Sequence, residues 1–211
     1  MKPSLPAGSP PTPDFLPTLA EIARYFTGAA RLMAGHRDGL DRLDLSADGF
    51  WRSFAAILVA LPPSILSWVE FERVERGGVP AQAGEATLAF AHALADLTAW
   101  LLPILLLATV ARHIGFSRRI VPFVVATNWG GALLTWAFSP FFLVVMLAGP
   151  GDGTQLLGLL MGAVSIFLTV RLVASSTESD VPFSIAVVTM MVIASILSYG
   201  AVSDLLGVRL V

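Results

Sequence analysis

The chain has 211 residues, of which 55% are hydrophobic and 13% are charged. Soluble domains carry about 25% charged residues, so this composition argues against one soluble core and indicates several membrane spans. The absence of cysteine excludes disulfides, thiol nucleophiles and cysteine-bound metals, and the net charge of -2 gives no electrostatic basis for binding nucleic acid. We therefore expect the lipid bilayer to be the main partner and nucleic acid to be none.

The first 48 residues are predicted to stay outside the membrane. Residues 1–17 contain six prolines, which remove backbone donors and block helices, so we predict a disordered tail. Residues 18–48 form a predicted cytoplasmic arm. Within it, Thr18–Ala34 has the pattern of an amphipathic helix, which either lies at the membrane interface or packs against the inner ends of the spans. The apolar residues of that pattern are Leu19, Ile22, Phe26, Ala30 and Met33.

Five apolar blocks are predicted to cross the membrane, since a spanning helix needs roughly 20 such residues. The predicted spans are residues 50–69, 86–110, 120–147, 154–173 and 182–206. Residues 49–211 are thus predicted to form a transmembrane domain. The predicted fold is all-α, a polytopic bundle of five transmembrane helices preceded by an N-terminal amphipathic helix.

Prolines and tryptophans give further expectations for these spans. Pro62 and Pro63 predict a kink or a break in the first span, where neighbouring groups must satisfy the freed carbonyls. Trp51 and Trp68, near its two ends, are predicted to be interfacial anchors. The third block is longer than a perpendicular crossing needs, so Pro140 predicts either a break or a tilted helix.

Loop cations predict the orientation, because cytoplasmic segments of membrane proteins carry an excess of Lys and Arg. With the N-terminus inside, ten cationic residues fall on the inner side and three on the outer side. The outer three are Arg73, Arg76 and Arg209. We therefore expect a cytoplasmic N-terminus and a C-terminus on the outer side.

The second span carries the chemically most informative residues. His92 and Asp96 are four residues apart and therefore lie on one helical face. Asp96 lies roughly 16 Å along the helix, near mid-membrane, where a carboxylate is costly and rarely faces lipid. Asn128, Ser165 and Ser195 fall between the levels of Asp96 and His92 on other spans. We predict a polar cluster of these five residues, in which Asp96 faces Asn128 and is at least partly protonated at neutral pH.

The predicted cluster has two interpretations. It is either a hydrogen-bond network that holds the helices in register, or a site that passes protons or binds a small polar ligand. A separate packing face is predicted on the fourth span, where small residues recur at helical spacing. That face comprises Gly158, Gly162, Ser165 and Thr169. It is expected to meet another helix of this chain, or a second copy in a homo-oligomer or larger membrane complex.

Signals of enzymatic chemistry are lacking in the sequence. The three histidines have no metal-ligand spacing, and a chain whose only lysine is Lys2 has no P-loop. Gly149–Asp152 matches the G-x-G-D pattern of intramembrane aspartyl proteases, but those enzymes need a second aspartate facing the first, and glycine with proline is typical of a turn. We expect no catalytic residue, no metal and no cofactor.

The arrangement of five spans, a cytoplasmic arm and a short outer C-terminus resembles the Yip1-domain membrane proteins, and Ser198-Tyr199-Gly200 resembles small-residue and tyrosine patterns of that family. Leu45–Phe54, which leads into a proline-bearing span, resembles uncharacterised inner-membrane proteins of alphaproteobacteria. These resemblances imply a bacterial inner-membrane location and no catalytic residue. We expect a scaffold, accessory subunit or membrane-organising factor. The alternative is a small transporter or channel component that uses Asp96 and His92, and water access to Asp96 distinguishes the two.

Overall fold

The computed structural model describes residues 16–75 and 83–210, and within them the chain is helical throughout, which confirms the predicted all-α bundle. The α-helices are α1 (Leu19–Met33), α2 (Ala47–Arg52), α3 (Ala55–Glu70), α4 (Glu85–Val110), α5 (Ile120–Ala148), α6 (Asp152–Thr177) and α7 (Val181–Leu206). A π-helical turn, Phe71–Glu75, extends α3. The predicted tail at residues 1–17 lies, apart from its last two residues, outside the described part of the chain.

Five helical segments are long and apolar enough to cross a membrane. They are Ala47–Val74, Glu85–Val110, Ser117–Ala148, Asp152–Thr177 and Val181–Leu206. The chain is therefore a polytopic membrane protein. The first segment extends beyond the predicted residues 50–69 at both ends. Trp68 and the acidic residues Glu70 and Glu72 therefore lie within this helical segment and not in a loop after it.

A capping box begins α1. The Glu21 amide donates a hydrogen bond to the Thr18 hydroxyl at 3.3 Å, and the Thr18 amide donates to the Glu21 carboxylate at 2.8 Å. Both amides would otherwise be among the unpaired donors of a helix N-terminus. The hydrogen bond from the Thr18 backbone also holds the pKa of Glu21 below its ordinary value.

Of its two expected placements, α1 takes the one against the bundle, where it packs on α5 and α6. The face that it buries is only partly the predicted one: Met33 is buried and Ile22 and Phe26 pack against the core, but Leu19 is 85% exposed. The buried face also includes Tyr25, whose ring lies 4.6 Å from the Trp129 ring of α5, measured between centroids. The prediction was partly wrong because periodicity within α1 does not give the position of Trp129 on another helix.

Arg171 of α6 fixes the end of α1. Its guanidinium donates hydrogen bonds to the carbonyls of Met33, at 3.1 Å, and of Ala34. Carbonyls at a helix C-terminus lack partners within the helix, so this side chain caps α1 from another element. Gly35, with φ of 89°, lies so close to the guanidinium that a Cβ there would overlap it.

Neither α3 nor α5 is broken at its prolines. α3 is continuous through both of its prolines, and the Val59 carbonyl, which Pro63 deprives of an amide donor, accepts a hydrogen bond from Trp136 Nε1 at 2.8 Å. α5 is likewise continuous through Pro140. The carbonyl freed there belongs to Trp136 and accepts from the Ser139 hydroxyl at 2.8 Å. Side chains therefore replace the missing donors at these two carbonyls, and the continuity of both helices corrects the predicted alternative of a break.

The five spanning helices form a ring in the order α3, α5, α6, α7 and α4. The pairs α4–α7 and α3–α5 pack most extensively, whereas α3 and α4 close the ring through few contacts. A larger apolar core joins α1 to α5 and α6 and includes Phe123, Trp129 and Leu172. A smaller core lies between α4 and α7, around Ala91 and Val202.

Candidate functional site

Asp96 on α4 accepts hydrogen bonds from two aromatic side chains of other spans. Trp68 Nε1 on α3 donates to Oδ2 at 2.8 Å, and the Tyr199 hydroxyl on α7 donates to Oδ1. The carboxylate therefore joins three spanning helices, two of which otherwise touch little. Trp68, which the sequence predicted to be an interfacial anchor, is thus engaged between helices, within a helical segment that continues as far as Val74.

Asn128 on α5 belongs to a different hydrogen-bond network. Trp100 Nε1 donates to its Oδ1 at 2.8 Å, and its Nδ2 donates to the Ser53 hydroxyl at 2.9 Å. Both Asn128 and Ser53 are buried. The predicted contact between Asp96 and Asn128 is therefore wrong. The position of a residue along a helix gives its depth but not the direction in which its side chain points. The long indole side chains of Trp68 and Trp100 reach Asp96 and Asn128 and hold them in separate networks.

His92 is also buried, one helical turn from Asp96. Its Nε2 lies 3.1 Å from Glu72 Oε1, and its ring stacks on the Trp68 indole with centroids 5.9 Å apart. Sequence reasoning missed Glu72 because the predicted span ended at residue 69. The signal that could have found it is its spacing from Trp68, since residues four apart share a helical face.

Asp96 lines a cavity of about 720 Å³ to which all five spanning helices contribute. Ser165 and Ser195 line the same cavity. Asn128 lines an adjoining cavity of about 250 Å³ whose wall also includes Ser165 and Ser195. The structure thus gathers four of the five predicted cluster residues around two neighbouring cavities. His92 lies beside them, paired with Glu72.

The larger cavity has a mostly apolar wall with a small number of polar groups, which is the usual character of a ligand pocket. Its volume also falls within the range of roughly 300–1,000 Å³ that such pockets have. The polar groups in its wall, besides Asp96, are hydroxyls and indoles. They belong to Ser64, Ser67, Trp68, Trp100, Thr127, Thr135, Ser165, Thr169, Ser195 and Tyr199.

The predicted packing face of α6 is divided between two environments. A Cβ added at Gly158 would lie 3.2 Å from the Phe141 ring of α5, so this glycine does meet a helix of the same chain. Around Gly162 there is open space, with no heavy atom within 4 Å of an added Cβ. Ser165 and Thr169 line the larger cavity. The four residues therefore do not form one continuous contact with a single helix.

Metal-binding geometry is not found in the part of the chain that the structure describes, since no three His, Asp or Glu side chains there are grouped to hold an ion.

No protein-family model matches the chain, and no curated protein or solved structure matches it either. Function therefore has to be inferred from the bundle and its cavity.

Proposed function

We propose that this chain is a non-enzymatic integral membrane protein that binds a small molecule within its bundle, as a small transporter or a component of one. The observation that carries the proposal is the position of Asp96, whose carboxylate lines a cavity of about 720 Å³ halfway along a spanning helix. A carboxylate at that depth is costly, and such residues commonly mark substrate or proton pathways. The cavity offers the space that a binding role needs.

In this proposal Asp96 is the binding group, while Trp68 and Tyr199 orient its carboxylate. The pair formed by His92 and Glu72 adjoins Trp68 on the side of α4 that loop cations assign to the outside. His92 stacks on the Trp68 indole, so this pair helps to position one of the two donors to Asp96.

A second candidate is a scaffold, accessory subunit or membrane-organising factor. It is favoured by the hydrogen bonds at Asp96, both of whose oxygens already have donors from this chain. A network satisfied in this way is sufficient to hold helices in register and needs no further role. The resemblance to Yip1-domain proteins and to alphaproteobacterial inner-membrane proteins supports the same candidate, and the open surface at Gly162 suits contact with a second copy.

Water access to the cavity distinguishes the two candidates. The chain has no cysteine, so Ser195→Cys would place one thiol in the cavity wall, and Ser184→Cys would place one at a fully buried position of the same helix. A small hydrophilic thiol reagent should modify the first variant and spare the second in membrane vesicles. If Ser195→Cys is as unreactive as Ser184→Cys, no water reaches the cavity and the scaffold is favoured.

We further propose that the N-terminus is cytoplasmic and the C-terminus lies on the outer side of a bacterial inner membrane. Gly151, before α6, and Ser117, before α5, are exposed turn positions that this orientation assigns to opposite sides. An impermeant thiol reagent added to intact cells should label Gly151→Cys and not Ser117→Cys. The reverse pattern would contradict the orientation.

A further inference from the structure

The chemistry of the cavity wall indicates the kind of molecule that it would bind. We propose that the larger cavity takes a monovalent, mostly apolar organic cation, whose charge pairs with the carboxylate of Asp96. This inference rests on the proposed function, because it names the ligand class for the same site.

The first argument is charge balance. Among the described residues that line the cavity, Asp96 is the one acidic side chain, and none is Lys, Arg or His. Trp68 and Tyr199 donate hydrogen bonds to the carboxylate but bring no positive charge. An ionised carboxylate away from water is strongly destabilised unless an opposite charge compensates it, and without one the group is protonated instead. One unit of positive charge in the cavity is therefore what would hold Asp96 in its ionised form.

The second argument is the aromatic content of the wall. The rings that line it are those of Trp68, Trp100, Phe138, Phe142 and Tyr199. The face of an aromatic ring attracts a cation, most strongly where both are removed from water. Indole and phenol groups are hydrogen-bonded directly to the carboxylate, so aromatic rings and the carboxyl group of Asp96 lie close together in the wall. Such a combination suits an organic cation whose charged atom is surrounded by hydrocarbon groups.

The same features disfavour other ligand classes. An anion would meet the carboxylate with no cation to offset the repulsion. A neutral molecule would leave the carboxylate uncompensated, and a dication would bring one charge too many. A hard metal cation such as Ca²⁺ requires six or more oxygen ligands, whereas this wall offers one carboxylate among rings and scattered hydroxyls.

The test uses three probes that carry phenyl groups on a central atom and differ in charge. Tetraphenylphosphonium is a cation, tetraphenylborate an anion, and triphenylphosphine oxide a neutral molecule. Binding to the purified full-length protein in lipid nanodiscs would be followed by calorimetry and by tryptophan fluorescence, to which Trp68 and Trp100 in the wall should contribute. We expect the phosphonium to bind most tightly of the three.

Variants then locate the interaction. Asp96→Asn keeps a polar group of the same shape and should weaken phosphonium binding about tenfold or more, since it removes the charge. The matched control is Asp204→Asn, which removes one exposed carboxylate of α7 outside the cavity wall and should leave binding unchanged. Ser195→Phe should also weaken binding, because it takes up part of the cavity and keeps the Asp96 carboxylate.

Each outcome has one meaning. Phosphonium binding that Asp96→Asn and Ser195→Phe both reduce supports the inference. Equal binding of the neutral or anionic probe, unaffected by Asp96→Asn, overturns the cation class but leaves the proposed binding function intact. If no probe binds while Ser195→Cys still reacts with the hydrophilic reagent, the cation class again fails alone. If no probe binds and that cysteine is also unreactive, the proposed function fails with it.

Discussion

The surroundings of Asn128 and of Asp96 differ, although both side chains lie on spanning helices. Asn128 is fully buried, and the structure leaves a gap of only about 10 Å³ beside its partner Ser53, while the cavity that Asn128 borders measures about 250 Å³. Asp96 is only half-buried and borders a cavity of about 720 Å³. Each of the two side chains receives a hydrogen bond from a tryptophan, yet one is a fully buried neutral amide while the other is a carboxyl group beside the larger open space.

This difference separates two roles that look alike in the sequence. A neutral amide with donor and acceptor both matched adds to the register of the helices and leaves no chemistry available. A carboxylate with two donors and no countercharge in its wall is held in place but not neutralised. We therefore assign a structural role to Asn128 and a binding role to Asp96.

The largest expected effect is at Asn128. Asn128→Leu removes the acceptor of Trp100 Nε1 and the donor to the buried Ser53 hydroxyl, and it places an apolar side chain where both had a partner. Leaving these groups unpaired should lower the free energy of unfolding by about 2 kcal/mol, measured by reversible unfolding in mixed micelles. Ser165→Ala in the cavity wall is the control and should change it little. A loss as small as that of the control would mean that Asn128 does not have a structural role.

The corresponding substitution of Asp96, which lines the cavity, should lower the free energy of unfolding by less. Asp96→Leu frees the donors of Trp68 and Tyr199, but these border the cavity, which in the proposed binding role admits water, so we expect a loss of about 1 kcal/mol. Asp96→Asn retains an acceptor and should cost less still. If Asp96→Leu proves more damaging than Asn128→Leu, the assignment of structural and binding roles has to be reversed.

A comparable loss of unfolding free energy is expected in α3, where the Val59 carbonyl accepts a hydrogen bond from a side chain of α5. Trp136→Phe removes the hydrogen bond to the Val59 carbonyl while keeping an aromatic ring, and should lower the free energy of unfolding by about 1 kcal/mol or somewhat less. Trp51→Phe, at a side chain that is 67% exposed, is the matched control. Equal effects of the two variants would show that the bond contributes nothing.

The smallest effect concerns the cap of α1. The folded chain holds the pKa of Glu21 below its ordinary value of 4.5, so the cap stabilises α1 above that pH and the stabilisation is lost as pH falls through the lowered pKa. The change should be a few tenths of a kcal/mol, because the group is solvated. Hydrogen exchange of the first turn between pH 6 and pH 3 would measure it. Glu21→Gln should abolish the pH dependence, whereas Glu85→Gln at the start of α4 should not.

Periodicity and hydropathy were sufficient to predict the spans and the existence of α1, because both follow from local composition. They could not predict which face α1 buries, since Tyr25 and Ala29 owe their burial to the position of Trp129 on a distant helix. The partners of Asp96 were missed for a similar reason. Tyr199 lies 103 positions along the chain from it, and nothing in the spacing of either helix fixes their mutual rotation.

The two successive prolines of α3 have a mechanical consequence. Two amide donors are missing at one turn, so bending there breaks fewer backbone hydrogen bonds than bending elsewhere in the helix. The half of α3 beyond that turn carries Ser64, Ser67 and Trp68, all in the cavity wall, and it touches α4 only sparingly. A rotation of this half helix about the prolines would widen or narrow the gap between α3 and α4, where Trp68 donates to Asp96.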